Sequence, residues 1–320
     1  MEAILFLTCS LDYTRTIEFD GLTSFDRLQV QNGIAGQASS GTRKFCMPLR
    51  LTYHTPTAIP LEIDGFTPEV ARGLSLAEVE RFEIVHGNER RPLADFFRIS
   101  GDAGDDSLEF VGDLSGVHSI GARMTGGEIH VQGNAGRHLG SEMRGGAIHV
   151  SGNAGDWVGG EMHGGLIHVH GSAGDLVGAA YRGSPRGMTG GTILIRGSVG
   201  DELGHTLRRG LIAVGGCGDF AGINLIAGTI LVFGPCGERP GAGMRRGTLG
   251  LFGRETSRLL PTFRPGSRDA LLVMQLVFRE LARLDYPLPD GLLKAAFRTW
   301  HGDTLALGRG EILIPESAAV

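Results

Sequence analysis

A repeat of about 19 residues occupies the middle of this chain. Each repeat begins at a glycine, which in four repeats is the second residue of a Gly-Gly pair. Successive glycines are 19, 19, 26, 19, 18 and 19 residues apart, and they are Gly127, Gly146, Gly165, Gly191, Gly210, Gly228 and Gly247. Self-similarity at a fixed period is typical of a solenoid, in which each repeat packs only on its neighbours.

Two apolar residues in alternation follow each of these glycines, for example Ile129 and Val131, then Ile148 and Val150. Alternation of β-branched residues indicates strands with one buried face. The repeats are too short to hold a crossover helix, so consecutive parallel strands require the chain to coil onto itself. The sequence therefore predicts an all-β fold, a right-handed parallel β-helix of seven or eight coils between Leu108 and Gly253. We expect a positive φ at bend glycines such as Gly155.

The flanking segments do not follow the repeat and divide the chain further. Residues 47–105 predict a small α/β cap, because a strand-like stretch precedes a helix that begins at Thr67-Pro68. Residues 106–253 form the predicted β-helix. Residues 254–320 predict a C-terminal helical cap and tail, with a helix from Asp269 to Leu284 in which Asp269 is the N-cap. For residues 1–46 two interpretations stay open: a disordered extension, or an upstream stretch included by a wrong start, with Met47 as the natural one.

Composition narrows the class of protein. Glycine is the outlier, with 53 of 320 residues, and the repeat accounts for it. A net charge of −5 gives no general attraction to nucleic acid or to an anionic membrane. The apolar runs at both ends are too short for a signal peptide or a membrane span, and four cysteines are too few for a disulfide scaffold. We therefore expect a cytoplasmic protein.

Three histidines, His130, His149 and His168, occupy one position in three successive repeats, on the face opposite to the core pairs. A contact surface for a partner protein, a metal site and a solvated strand face are the three interpretations. Parallel imidazoles one strand apart do not converge on one ion, which argues against a metal. The same position holds Leu194, Ala213 and Leu231 in the next repeats, which favours a contact surface.

The 26-residue step contains seven extra residues, which we expect to protrude as a loop carrying Tyr181, Arg182, Pro185 and Arg186. Insertions in solenoids collect on functional faces, and Tyr and Arg are enriched in contact hot spots. A contact with a partner or an anion is therefore predicted here, beside the alternative of a plain exposed loop.

Two further columns of side chains have a structural interpretation. Acidic residues share one position after a bend glycine, and we expect them to accept backbone N–H groups rather than to bind Ca²⁺; they are Asp156, Asp175, Asp201, Asp219 and Glu238. Cys217 and Cys236 stand where other repeats have Ala or Val, so they are predicted to be small buried side chains rather than a disulfide or a metal pair. No catalytic, cofactor-binding or metal-binding residue is predicted, because no nucleophile and base occur at a suitable spacing.

Several motifs resemble a known family. They include "GLSLAEVERFEIVHGNERRPLADFFRISGD" (73–102), "GARMTGGEIHVQG" (121–133), "GNAGDWVGGEMHGGLIHVHG" (152–171), "AAYRGSPRGMTGGTILIRG" (179–197) and "HGDTLALGRGEIL" (301–313). The repeats resemble the GXGXG domain of glutamate synthase. With the flanking motifs, residues 48–315 are more similar to the C subunits of formylmethanofuran dehydrogenase and of the bacterial formyltransferase/hydrolase complex.

The resemblance implies a non-catalytic scaffold in one-carbon metabolism linked to tetrahydromethanopterin and methanofuran. The chemistry would belong to partner chains: an amidohydrolase-like A subunit with metals, a formyltransferase D subunit, and also a B subunit. Formyl transfer and release of formate would then occur outside this chain. This chain would hold no cofactor, and metals or molybdopterin would lie only in partner subunits.

Two alternatives stay open at this point. The first is the C subunit of a molybdenum or tungsten formylmethanofuran dehydrogenase; an excess of arginine over lysine, typical of high-GC bacteria, favours the formyltransferase/hydrolase complex instead. The second is a stand-alone β-helix enzyme, which would need an acidic groove or an intersubunit histidine. A regulatory domain of the glutamate synthase type is disfavoured by the two predicted caps.

Overall fold

The structure is a computed structural model, and it describes residues 48–102, 104–253 and 259–316. The predictions for residues 1–46 lie outside the described residues. Among the described residues, no helix is long and apolar enough to cross a membrane.

Strands dominate the described part of the chain. They are β1 (Leu49–Tyr53), β2 (Leu61–Glu62), β3 (Glu83–His86), β4 (Glu89–Pro92), β5 (Phe97–Ser100), β6 (Ser107–Val111), β7 (Val117–His118), β8 (Glu128–Gln132), β9 (Ala147–Val150), β10 (Leu166–Val169), β11 (Thr192–Val199), β12 (Leu211–Cys217), β13 (Thr229–Val232), β14 (Arg246–Leu251), β15 (Arg264–Asp269), β16 (Phe297–Gly302) and β17 (Arg309–Pro315). The helices are α1 (Pro68–Arg72), α2 (Leu76–Glu80) and α3 (Leu272–Arg283), with 3₁₀ turns at Leu93–Asp95 and Leu292–Lys294.

Thirteen of these strands form one sheet, in the order β15-β16-β17-β14-β13-β12-β11-β10-β9-β8-β6-β1-β5. From β6 to β14 every neighbouring pair is parallel, and the repeats are in register, so that Ile148 lies between Ile129 and Ile167. These isoleucines are fully buried in the main core. The prediction of an all-β fold with strands in the repeats is confirmed as a large, mainly parallel sheet.

Backbone hydrogen bonds also join the repeats between the strands. The N–H of Gly159 donates to the carbonyl of Leu139 at 2.8 Å, and the N–H of Gly178 donates to that of Val158 at 2.8 Å. Each bond joins positions about one repeat apart. Adjacent repeats are therefore paired along the bends as well as along the strands, which satisfies backbone groups that would otherwise be buried without partners.

Glycine at the bends has two separate roles. Gly146, which precedes β9, has a φ of 84°, and a Cβ there would lie 2.5 Å from the carbonyl oxygen of Gly127. The expectation of a positive φ at Gly155 is wrong, because its φ lies outside that region. A Cβ on Gly155 would instead lie 2.9 Å from the backbone nitrogen of Arg137, so close packing of repeats requires the glycine.

Some bends use larger residues, which the spacing of glycines does not predict. One position per repeat has a φ between 56° and 63° although its residue carries a side chain; these residues are Ser119, His138, Trp157, Leu176, Glu202, Phe220 and Arg239. Such a conformation costs about 1–3 kcal/mol for a non-glycine residue. The first six of these residues donate their backbone N–H to the next repeat, as Trp157 does to the carbonyl of Asp175 at 2.9 Å. The stacking of repeats therefore stabilises the bend at these positions.

The acidic column forms a ladder of hydrogen bonds. Asp156 Oδ1 accepts the N–H of Asp175 at 3.1 Å, Asp175 accepts that of Asp201 at 2.9 Å, and Asp219 accepts that of Glu238 at 2.7 Å. The prediction that these carboxylates cap backbone N–H groups is confirmed for the four aspartates, Asp156, Asp175, Asp201 and Asp219. A parallel column of amides, which sequence reasoning missed, does the same: Asn134 accepts the N–H of Asn153 at 2.9 Å.

Cys217 and Cys236 are bridge partners in adjacent repeats, with their Sγ atoms 3.4 Å apart. Cys217 belongs to the main core, and Cys236 packs against that core. The hydrogen bond to Cys236, together with burial, raises the pKa of the Cys217 thiol far above its usual range. The prediction of small buried side chains is confirmed.

The two ends of the sheet carry the flanking segments. At the N-terminal end, β1 pairs with β6, α1 begins at Pro68 as predicted, and β2, β3, β4 and β7 form a separate small sheet. At the C-terminal end, Asp269 is the last residue of β15 and not a helix N-cap, because β15 pairs with β16; Leu271 is the N-cap of α3. The predicted helical cap is therefore a helix and three strands that extend the large sheet.

Candidate partner-binding surface

The outer face of the large sheet, opposite to the main core, divides into two halves. We define the leucine half by the outward residues of β11 to β14, which include Leu194, Ala213 and Leu231. We define the histidine half by the outward residues of β8 to β10, namely His130, His149 and His168, together with His170 just after β10. The register is continuous across both halves, since His168 is the strand neighbour of Leu194.

The leucine half is buried under the C-terminal segment. Leu194, Ala213 and Leu231 are fully buried in a second hydrophobic core, into which α3 inserts Met274, Phe278 and Leu281. Phe278 packs edge-on against Phe252, with ring centroids 5.5 Å apart. The leucines that suggested a contact surface in the sequence thus contact a helix of the same chain.

The histidine half borders a cleft of about 500 Å³. Its lining residues are Pro48, Arg50, Ser107, Glu109, His130, Val131, Gln132, His149, Val150, Ser151 and His170. One wall is a network that sequence reasoning missed: Arg50 Nε donates to Glu109 at 2.7 Å, and Gln132 donates to the other oxygen of the same carboxylate. Glu109 occupies the position that His130 has in the next repeat, which is the signal that could have found it.

The imidazoles stack along the face. The rings of His130 and His149 are 5.2 Å apart and nearly parallel, at 11°, and those of His168 and His170 are 4.6 Å apart at 24°. Among the described residues, no group of three or more His, Cys, Asp or Glu side chains could hold a metal ion. In a stack of this kind the ring nitrogens lie at the edges of the rings, and the rings of His130, His149 and His170 line the cleft.

Burial lowers the pKa of three imidazoles of the histidine half, those of His149, His168 and His170. Burial, followed by the charges of His170 and Arg196, lowers the pKa of His168 to about 4. Burial, followed by the neighbouring His130, also lowers the pKa of His149, and burial followed by Arg196 lowers that of His170. His168 is only 4% exposed, although its position faces away from the main core. At neutral pH the rings of His149, His168 and His170 are therefore uncharged hydrogen-bonding groups.

The predicted loop does not protrude along its whole length, because Tyr181 packs against the repeats. Tyr181 does not protrude: its hydroxyl makes hydrogen bonds with Ser141 Oγ at 2.6 Å and His138 Nδ1 at 2.9 Å, and its ring stacks on Trp157 at 6.1 Å. Burial raises the pKa of Tyr181. Arg182, Pro185 and Arg186 are exposed. In the described part of the chain, the hydrogen bonds and ring contacts of Tyr181 do not join it to the histidine half.

Comparison with known proteins supports the resemblance. The family model described as "GXGXG motif" matches residues 118–259. The chain is 51% identical, over 267 residues, to the C subunit of the formyltransferase/hydrolase complex of Methylorubrum extorquens, which covers 83% of this chain and 98% of that one. The chain belongs to the C-subunit family of these complexes.

A solved structure and more distant relatives agree with this family. A chain in the crystal structure of the formyltransferase/hydrolase complex from Methylorubrum extorquens, in complex with methylofuran, superposes with a TM-score of 0.78 and 36% identity, covering 83% of this chain and 99% of that one. The C subunit of the tungsten-containing formylmethanofuran dehydrogenase 2 of Methanothermobacter thermautotrophicus is 38% identical over 93 residues. That match covers 28% of this chain and only 34% of the relative's length.

Proposed function

We propose that this chain is the scaffolding C subunit of a cytoplasmic formyltransferase/hydrolase complex. It carries no catalytic or cofactor site of its own, and it supports partner subunits that transfer a formyl group from a tetrahydromethanopterin carrier to a methanofuran-type carrier and release formate. The observation that carries this proposal is the match at 51% identity over 98% of a relative from such a complex.

Within this proposal the repeats form a right-handed parallel β-helix. Two observations support it: parallel strands in register about every 19 residues, and hydrogen bonds between equivalent bend positions. A connection between adjacent parallel strands is right-handed in nearly all known cases. A rod built in this way is stiff, so little conformational entropy is lost when partner subunits dock on its surface.

The geometry supports a binding role. The leucine half is occupied by α3, whereas three rings of the histidine half, those of His130, His149 and His170, line an open cleft. The loop residues Arg182 and Arg186 are also exposed. The dehydrogenase alternative is less favoured, because the matched segments span only 34% and 20% of the tungsten and molybdenum relatives. The stand-alone enzyme gains no support from the cleft, whose acidic residue Glu109 is already paired with Arg50.

The test is affinity purification of the tagged chain from its native host, with identification of the co-purifying chains. We expect an amidohydrolase-like chain, a formyltransferase and one further partner chain in fixed stoichiometry, with formyl transfer only in the complete complex. Recovery of the chain alone, or turnover by the isolated chain, would contradict the proposal. Molybdenum or tungsten with iron–sulfur clusters in the complex would instead identify a dehydrogenase.

A further inference from the structure

Six arginines occupy the two positions that precede the glycine at the start of a repeat, or the equivalent glycine of β17, Gly310. We call them the arginine row, and they are Arg144, Arg208, Arg209, Arg245, Arg246 and Arg309. Gly310 lies opposite Gly247 in the parallel pair of β14 and β17, so the register of the repeats continues to β17. Five of the six side chains are exposed, and that of Arg208 is half-buried.

The register stacks these positions on one another along one edge of the repeats. The N–H of Arg208 donates to the carbonyl of Met188 in the previous repeat at 2.9 Å. Arg246 and Arg309 are direct strand partners. From β9, which follows Arg144, to β17 there are six steps across the sheet. The row is therefore about 29 Å long, at about 4.8 Å per step.

Within the described part of the chain, the guanidinium groups of the row make no hydrogen bond or ion pair. The chain does not lack carboxylates, since it has 35 acidic residues against 30 lysines and arginines. Other arginines are paired, as Arg72 is with Asp106 at 2.8 Å. Glu311, two residues after Arg309 on β17, accepts instead from the hydroxyl of Thr248 at 2.5 Å. The row is thus a line of accessible positive charge without a direct partner among these residues.

This arrangement costs stability in the free chain and indicates what would compensate for it. Like charges directly opposite each other on neighbouring strands repel, and Arg246 lies opposite Arg309 in this way. A carboxylate-rich surface would remove the repulsion and accept charge-assisted hydrogen bonds. The row is too long for one small anion, and it does not line the cleft. A net charge of −5 gives no general attraction to nucleic acid, so an acidic protein surface fits best.

We propose that the arginine row binds an acidic face of a partner subunit. The inference rests on the proposed function, because it requires an assembled complex. The insertion loop returns to the repeats at the same edge: Thr189 occupies the position of the row in its repeat, and its Oγ1 lies 2.6 Å from Nδ1 of His163 in the previous repeat. Exposed charges act mainly on the rate of association, because they attract the partner over a distance, and salt screens that attraction.

The test uses the full chain and the remaining subunits of the complex, and it measures their association rate constant by surface plasmon resonance. The row variant combines Arg208→Gln, Arg209→Gln, Arg245→Gln and Arg246→Gln. At about 0.05 M salt it is expected to associate about tenfold more slowly than the native chain, or slower still. Raising the salt to about 0.5 M should slow the native chain by a similar factor and the row variant much less.

Two matched variants separate the row from net charge and from the shape of arginine. The control variant removes the same charge from exposed residues of the N-terminal segment and should associate within about threefold of the native rate; it combines Arg81→Gln, Arg90→Gln, Arg91→Gln and Arg98→Gln. The lysine variant changes the four tested row positions to Lys. It keeps the charge and should associate within about twofold of the native rate.

Melting of the isolated chains checks the fold. The row variant should melt at the native temperature or above it, because its positions are not buried and a repulsion has been removed. If it melts lower, Arg246→Gln alone, which is expected to slow association about twofold, and the salt dependence of the native chain decide the question.

A native rate in the row variant, an equally slow control or lysine variant, or a native rate that salt does not change would overturn the inference. Binding of a DNA or RNA oligonucleotide by the row, with unchanged docking of the subunits, would also overturn it. These failures are distinct from failure of the proposed function. If the native chain binds no partner subunits at all, the scaffold role is wrong; if it binds them and the row variant binds equally fast, only the acidic contact is wrong.

Discussion

The leucine half and the histidine half of the outer sheet face have the same backbone and the same register, yet they differ in what covers them. Phe278 and its neighbours on α3 bury the leucine half inside the chain. The histidine half borders a cleft. Its rings become more buried from His130 to His168, towards the part of the sheet that the C-terminal segment covers. One repeated scaffold can therefore present an internal core at one end of a face and a polar cleft at the other.

The difference follows the side chain at one repeated position, which is leucine or alanine where α3 covers the sheet and histidine where the sheet borders the cleft. A leucine there gains free energy by excluding water beneath α3. A histidine there keeps polar ring atoms on the face, and Nε2 of His168 has no hydrogen-bond partner among the described residues. Four experiments, from the largest expected effect on stability to the smallest, test this contrast.

The largest effect is expected from Phe278→Ala in α3. This ring is fully buried between Phe252 and Phe297, so its removal should lower the free energy of unfolding by about 3–5 kcal/mol. Urea denaturation followed by circular dichroism measures it. Leu272→Ala on the same helix is the control, because Leu272 is 70% exposed and should change stability by less than about 0.5 kcal/mol. Equal effects of the two changes would show that α3 does not cover the leucine half as described.

Gly155→Val tests the repeat framework that both halves share. A side chain at this position would press on the backbone nitrogen of Arg137 in the previous repeat, and overpacking of this kind costs about 1–3 kcal/mol. Thermal melting measures the loss. Gly126→Ala is the matched control, since a Cβ there has nothing within 4 Å. A native melting temperature for Gly155→Val would mean that the repeats are separable at this bend.

The pH dependence of stability should distinguish the histidine half. The folded pKa of His168, about 4, is below the unfolded value of 6.5, so the unfolded chain binds the proton more readily. The contribution of this residue to stability is therefore complete above pH 6.5 and is lost progressively as the pH falls towards 4. Urea denaturation of the isolated chain at several pH values measures it, and His168→Leu should show a shallower loss. Identical pH profiles would contradict the burial of this imidazole.

The smallest effect on stability is expected at the loop. Arg182 and Arg186 are exposed, so Arg182→Glu with Arg186→Glu should change the free energy of unfolding by less than about 0.5 kcal/mol. If the loop contacts a partner, the same double variant should reduce co-purification of the partner subunits, because exposed hot-spot arginines act through binding. Changing both to Gln is the milder control. Unaltered stoichiometry in the charge-reversed variant would exclude the loop as a contact.

Regular features of the repeats were predictable because each depends on neighbours one repeat away. The strands, the buried isoleucines and the carboxylate ladder from Asp156 to Asp219 follow from spacing alone. Bends at residues such as Trp157 were not predictable, since a positive φ in a large residue is held by the adjacent repeat and not by local preference. The site was predictable only in part: the histidine column is visible in the sequence, whereas Arg50, Glu109 and Arg196 come from strands that only the register brings beside it.

The sequence by itself determined a chain of stacked strands, because a period of about 19 residues with alternating apolar side chains admits few other ways to bury them. It also determined the family, through motifs that run from residue 73 to residue 313. Only the tertiary structure decided which part of the outer face is covered. That depends on where α3 returns to the sheet, and its packing on Leu194 and Leu231 is a contact between segments distant in sequence, which no local pattern encodes.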